Sequence, residues 1–331
     1  VFALFPNEFL EQSGAFSPVL QLLLFLAASA LIVWRLELMA DRGVEGTVLG
    51  TIVMPYCSGL GNLVFALILA TQGGRGEEVI TNCMVNNVTN LTLLIGLPAL
   101  IWGLSLVSKK RMQKKDKMQL RINRLSLLLS LTAGLFFCGI LWALSIDGSL
   151  SRGDGIVLIG LFLFWQCFQV YDVLKTGIKQ QRSTDWMLVL DFALILLGGW
   201  FVFTSISWLT DWISAMDSGF ISADKLGLLS GWLMVIPNAA LALFYAWRRR
   251  ADVVFSSQLG DGHICIPLCI GLFALFSTSN IPSTMVTGLW IILGFSLLHA
   301  LLLLTWKGVP RWIGGTMAIA YVVFLALGWV G

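Results

Sequence analysis

Ten stretches of this chain, roughly 18–34, 45–70, 79–107, 125–146, 156–174, 187–209, 226–247, 253–276, 284–305 and 312–330, are long and apolar enough to cross a bilayer as helices. A spanning helix needs about 20 such residues, because each adds only about 1.5 Å to its length. Within the hydrocarbon no water is present to pair with an exposed peptide group, so the helix must satisfy its own backbone. The composition agrees with that reading: 57% of residues are hydrophobic, 12% are charged and mean hydropathy is +0.86. An ordinary soluble surface carries about twice that charged share. A cytosolic enzyme, a nucleic-acid binder and a disordered chain are excluded. The fold class expected is an all-α polytopic membrane protein, with the lipid bilayer as its first partner. The 14 Trp and 21 Phe suit lipid-facing helices with interfacial belts.

Nothing in the sequence suggests catalysis. There are two histidines and no HExxH, P-loop or GxSxG pattern. No enzyme activity and no cofactor are expected. The six cysteines, Cys57, Cys83, Cys138, Cys167, Cys265 and Cys269, all lie in apolar stretches without a CxxC pair, which argues against a disulfide framework. No basic segment precedes the first apolar run, so a signal peptide is not expected.

The basic residues order the spans. Numbered 1 to 10, the loops after odd spans hold 18 of the 21 Lys and Arg, including the run 108–124. The loops after even spans hold only Arg75, Arg152 and Lys225. A miscounted span would scramble this asymmetry. Positive charge stays on the cytoplasmic side, so both termini are expected outside the cytoplasm, in a cell (inner) membrane. Run 108–124 reads as a topology anchor at the headgroups.

Two segments resemble each other at a separation of 175 residues: Gly96-Leu-x-Ala-Leu aligns with Gly271-Leu-x-Ala-Leu. Upstream, Asn62 precedes the first by 34 residues and Asn238 the second by 33. The matches fall on spans 2–3 and 7–8, the same places in two five-span halves, 1–175 and 176–331. Five is odd, so the second half enters the membrane from the opposite side. Such inverted repeats are common in secondary transporters, whose sites lie near the midplane between Gly- and Pro-interrupted helices. Span 2 (Gly46, Gly50, Pro55, Gly59, Gly61) and span 7 (Gly227, Gly231, Pro237) have that character.

The third span carries Thr81-Asn82-x-x-Val85-Asn86-Asn87-x-x-Asn90-Leu-Thr-Leu-Leu-Ile-Gly96, and the eighth Ser256-Ser257-x-x-Gly260-Asp261-Gly262-x-x-Cys265. These resemble the paired motifs of the calcium/cation antiporter superfamily, the sodium/calcium exchangers and their relatives. The resemblance implies ten helices in two inverted halves and secondary-active exchange of an inorganic cation, Ca2+, Na+ or H+. It implies a site at Asn62, Asn87, Asn238 and Asp261, with Ser58, Asn86, Asn90, Ser257 and His263 as further candidates. The family's two central glutamates fall on Asn62 and Asn238, so two negative charges are missing. Affinity for Ca2+ depends on carboxylate count, and an altered substrate follows as an expectation.

Read residue by residue, the polar positions leave alternatives open. Four Asn in span 3 are costly in lipid unless they face protein or a wet cavity. They line a site or hydrogen-bond between helices. Asp261 is the sole acid inside the four repeat helices away from their ends. Its flanking glycines suggest a bent backbone. His263 either shares a proton with Asp261 or is simply packed. Asp172 and Asp191 are expected at the interface, near Lys175 and Arg182, and His299 is expected to be structural. Cysteines near His263 allow a soft-metal site or ordinary small-residue packing. Besides cation antiport, two further functions fit: a same-fold transporter of a neutral solute or soft metal, and a non-transporting membrane scaffold. No protein partner is indicated.

Overall fold

The structure is a computed structural model of the chain and describes residues 17–41, 56, 59–73, 75–107, 114–177, 186–217 and 219–330. Ser58, Cys57 and the 45–55 part of the second span lie outside the described residues. Among the described residues, eight helices are long and apolar enough to cross a membrane, and two shorter apolar helices accompany them. In chain order these are α1 (Ser17–Asp41), α2 (Leu60–Gln72), α3 (Gly76–Leu91) with α4 (Leu93–Trp102), α5 (Lys114–Leu144), α6 (Arg152–Gly177) and α7 (Trp186–Ser214). Then follow α8 (Leu226–Trp247), α9 (Ala251–Ile264) with a π-helical turn (Cys265–Ile270) and α10 (Gly271–Phe276), α11 (Ser283–Thr305) and α12 (Arg311–Val330).

Two spans form the centre. Gly76–Trp102 is 78% buried and Ala251–Phe276 72% buried, while none of the other six long helices exceeds 50%. The outer helices turn Leu196, Phe164 and Trp186 outward, each more than 70% exposed, as lipid-facing side chains require. Their strongest mutual packing joins α1 to α7 and α3 to α8.

Glycines set the closest approaches. A Cβ on Gly227 of α8 would lie 2.5 Å from the Glu78 carbonyl oxygen of α3, and one on Gly231 would lie 2.9 Å from Val85 Cβ. On α4, a Cβ at Gly96 would meet Met317 Cβ of α12 at 2.8 Å. On α10, a Cβ at Gly271 would meet Leu158 Cβ of α6 at 2.9 Å. Helices in lipid associate through such small residues, since apolar burial alone gives no net attraction there.

Both central spans are interrupted where proline follows. α3 gives way to α4 at Thr92, and Pro98 sits in α4. The backbone around Asp261 is regular helix, contrary to the bend expected from its glycines. The irregularity comes one turn later, as the π-helical turn that contains Pro267. Proline lacks an N–H and its ring clashes with the carbonyl four residues back, and the wider turn relieves both. The third span is also shorter than expected. It ends at Trp102, and residues 104–105 form a strand instead.

Four two-residue strands tie the loops together: β1 (Leu104–Ser105) pairs with β4 (Gly308–Val309), and β2 (Ser149–Leu150) with β3 (Ser279–Asn280), both antiparallel. Side chains add further ties. Arg249 Nη1 donates to the Trp102 carbonyl at 2.9 Å, and Arg248 pairs with Glu37 at 3.3 Å. Arg75 donates to Ser214 Oγ at 3.0 Å and to the Ala223 carbonyl at 2.6 Å.

Asp191 is 1% exposed and pairs with Arg35 of α1 at 3.6 Å; Arg182 and the side chains of Asp172 and Lys175 lie outside the described residues. α7 packs along α1, and that packing brings a cation from a distant part of the sequence to it.

Candidate functional site

α3 and α9 cross at the middle of the molecule, and their polar faces meet there. Asn86 and Asn90 stand one helical turn apart on α3 and therefore share a face. Both donate from Nδ2 to the same oxygen, Asp261 Oδ2, at 2.5 and 2.6 Å. Asn238 of α8 donates to it at 3.0 Å. All four residues are fully buried. Three N–H donors from two other helices thus converge on one carboxylate oxygen. Hydrogen bonds to charged groups contribute about 1.5–3 kcal/mol each. Together they offset the cost of about 3 kcal/mol for an acid at a helix centre. Its Oδ2 atom is satisfied by protein amides. No Lys or Arg among the described residues pairs with Asp261.

The other half of each group is left open. Asp261 Oδ1 and the Oδ1 atoms of Asn86, Asn90 and Asn238 are buried and accept no hydrogen bond from the described residues. Asn62, fully buried on α2, has no partner for either amide atom among the described residues. A Cβ added to Gly61 beside it would lie 3.2 Å from Met234 Cγ of α8. These free oxygens are hard donors, the type that binds alkali and alkaline-earth cations.

Asn87 goes elsewhere. One residue on from Asn86 rotates by about 100° around the helix, and Asn87 Nδ2 donates to the Cys83 carbonyl at 2.7 Å. Its Oδ1 lies over Gly262, 2.5 Å from where a Cβ would stand. Asn82 donates to Ser230 Oγ at 3.0 Å and serves the α3–α8 contact. Ser257 Oγ donates to the Val254 carbonyl at 3.1 Å. Ser58 lies outside the described residues. His263 does not bond Asp261. Its Nε2 is 2.9 Å from the Ser130 carbonyl, and its ring packs edge-on against Phe137 and Trp165. His299 bonds the Leu91 carbonyl at 2.8 Å as a helix-to-helix tie. Of the nine candidates, Asn86, Asn90, Asn238 and Asp261 are joined directly.

Gln258 was missed. It is 1% exposed, its Nε2 donates to Ser257 Oγ at 3.0 Å, and its Oε1 has no partner. A buried amide one turn before Gly262 was the available signal. The thiols of Cys83, Cys265 and Cys269 also converge, and Asn86 Nδ2 lies 3.2 Å from Cys265 Sγ. Among the described residues, no group of three His, Cys, Asp or Glu is arranged to hold a metal ion.

Comparison with known proteins bears on the fold. Residues 15–171 match the family described as sodium/calcium exchanger protein. The fold is similar to that of the sodium-calcium exchanger NCX_Mj soaked with 2.5 mM Na+ and 1 mM Sr2+, with TM-score 0.67 at 20% identity over 93% of this chain and 96% of that one. The same exchanger soaked with zero Na+ and Ca2+ gives TM-score 0.65, again at 20% identity and with 93% and 96% coverage. Comparison with curated protein sequences gives no match.

Proposed function

We propose that this chain, a divergent member of the sodium/calcium exchanger superfamily, is a secondary-active antiporter whose cargo is an inorganic cation bound beside Asp261. The observation that carries the reading is a single buried carboxylate surrounded by free amide oxygens at the crossing of two interrupted helices. The amides of Asn86, Asn90 and Asn238 point N–H at Asp261. To take a cation, they turn about their last torsion and present Oδ1. One carboxylate supplies one negative charge, which balances a monovalent cation and leaves Ca2+ undercompensated. A monovalent or proton-coupled exchange is therefore the form we propose.

The architecture proposed with it is ten spans in two inverted halves, 1–175 and 176–331. Loop contacts support it by parity. β1 and β4 follow spans 3 and 9, and β2 and β3 follow spans 4 and 8. Arg249 and Arg248 after span 7 reach the ends of spans 3 and 1, and Arg75 after span 2 reaches the loop after span 6. Each tie joins two odd loops or two even loops, as it must if alternate loops lie on opposite sides. The glycine contacts are exchanged in the same manner: Gly96 of span 3 meets span 10, and its counterpart Gly271 of span 8 meets span 5.

The test is cation flux in proteoliposomes. Asp261→Asn keeps the volume and a hydrogen-bonding group, so it should purify folded and lose flux. Normal cation flux by that variant would overturn the site beside Asp261, and no cation flux by the unaltered chain would leave a neutral solute or a scaffold role as the better reading.

A further inference from the structure

A cavity of about 500 Å³ opens where α3, α8 and α11 begin and α12 ends. Small-molecule sites typically span about 300–1,000 Å³. The cavity belongs to a different face of α3 from the Asp261 cluster. Thr81 and Val85 line it, and each is turned from Asn86 and Asn90 respectively by about 140° around the helix. Its walls are held by contacts at its edges. Glu78 Oε2 accepts the Gly227 N–H at 2.6 Å, which joins α3 to the first turn of α8. The hydroxyls of Thr81 and Thr284 meet at 2.9 Å, which joins α3 to α11. The space is therefore preformed.

The lining changes along its depth. Glu77, Glu78 and Asp224 stand at one end with Lys225, and both Glu77 and Asp224 are exposed. About 12 Å along α3 from Glu77, Val85 is buried, and Leu228 and Phe324 join it in an apolar wall. Lys225 Nζ reaches the Gly219 carbonyl at 3.3 Å, and Arg75 pairs with Glu78 at 3.8 Å. Three carboxylates against these two cations leave the mouth negative. An anion would be repelled there. A bare metal ion would gain nothing from the apolar depth and would keep its water beside exposed acids. A guest suited to both ends carries one positive head and a short apolar tail.

We propose that this cavity binds an organic ammonium ion with a short apolar tail, its head at the carboxylates of Glu77 and Asp224 and its tail against Val85, Leu228 and Phe324. The site goes beyond the cation reading given for Asp261 and does not depend on it.

Calorimetric titration of the purified chain in phosphatidylglycerol nanodiscs tests it. Hexylammonium chloride is the probe, methylammonium and 1-hexanol are the controls, and heats from empty nanodiscs are subtracted. Hexylammonium should bind saturably, and each control at least tenfold more weakly. Glu77→Gln with Asp224→Asn removes charge at two exposed positions and should weaken hexylammonium roughly tenfold. Thr287→Trp fills the cavity from the exposed side of α11 and should abolish binding. Asp261→Asn should leave binding intact, which keeps the result separate from the ion site. Nanodiscs of phosphatidylethanolamine distinguish the sources of the head group. Weaker hexylammonium binding there supports the site with the lipid's own ammonium as its occupant, and equal binding supports a water-borne amine. Affinity for 1-hexanol equal to that for hexylammonium means an apolar void only and overturns the proposal. So does the absence of saturable binding, or binding indifferent to the two carboxylates or to Thr287→Trp. Loss of binding in Asp261→Asn overturns it by placing the amine at the ion site.

Discussion

Asn238 sits where the resemblance places a glutamate, and its amide now donates to Asp261 at 3.0 Å. On that resemblance, a donor stands where a charge would. Restoring carboxylates by Asn62→Glu and Asn238→Glu should raise Ca2+ affinity, since affinity follows ligand charge. Isothermal titration with Ca2+ checks it, and an unchanged affinity would show that the backbone no longer matches the family's site. Gly262 is constrained by a neighbour and not by its torsions. A Cβ there would stand 2.5 Å from Asn87 Oδ1. Asn87 is held by the Cys83 carbonyl and cannot simply swing away. Gly262→Ala should therefore lower stability by about 1–3 kcal/mol, the usual cost of overpacking. Denaturation in detergent measures it.

At the scale of elements, α1 and α7 form a closely packed pair that carries its own internal charge couple, Arg35 with Asp191. Asp191 is 1% exposed and Arg35 17%, so removing one partner strands the other where water barely reaches. Asp191→Leu should destabilise the chain by about 3 kcal/mol, the low end for breaking a buried pair. Arg35→Met combined with Asp191→Leu should recover most of that loss, because replacing both charges by apolar groups leaves nothing stranded. A double-mutant cycle on unfolding midpoints gives the coupling directly, and additive single effects would mean the two charges act apart. The π-helical turn is the corresponding feature of the central helix. It follows from Pro267 and places Cys265 beside Asn86.

For the whole molecule, the two mini-sheets and the arginine ties join loops of equal parity. Cysteines introduced at position 115 and near the C-terminus should therefore label from opposite faces of the membrane, the first from the cytoplasm. Labelling of both from one side would break the ten-span arrangement. The charge asymmetry of 18 against 3 makes the same demand from sequence alone.

Much of this was written in the sequence, because a bilayer imposes length, composition and flanking charge on each span in turn. Spans, their order and the two polar helices at the centre are one-dimensional properties. So is the isolation of Asp261, which has no Lys or Arg near it along α9. What the sequence could not hold is the direction in which each polar group faces its partner helix. Asn86 and Asn87 are adjacent and chemically identical, yet one reaches Asp261 and the other Gly262. The difference is a rotation of about 100° on α3, which acquires meaning only once α9 is in place beside it. The third span stops locally, at Gly103 with its positive φ, but residues 104–105 become strand only by pairing with 308–309. His263 and Asp191 found their partners, Ser130 and Arg35, across more than 130 residues of chain. Local chemistry fixed which residues would be buried, and packing between distant helices decided what each one touches.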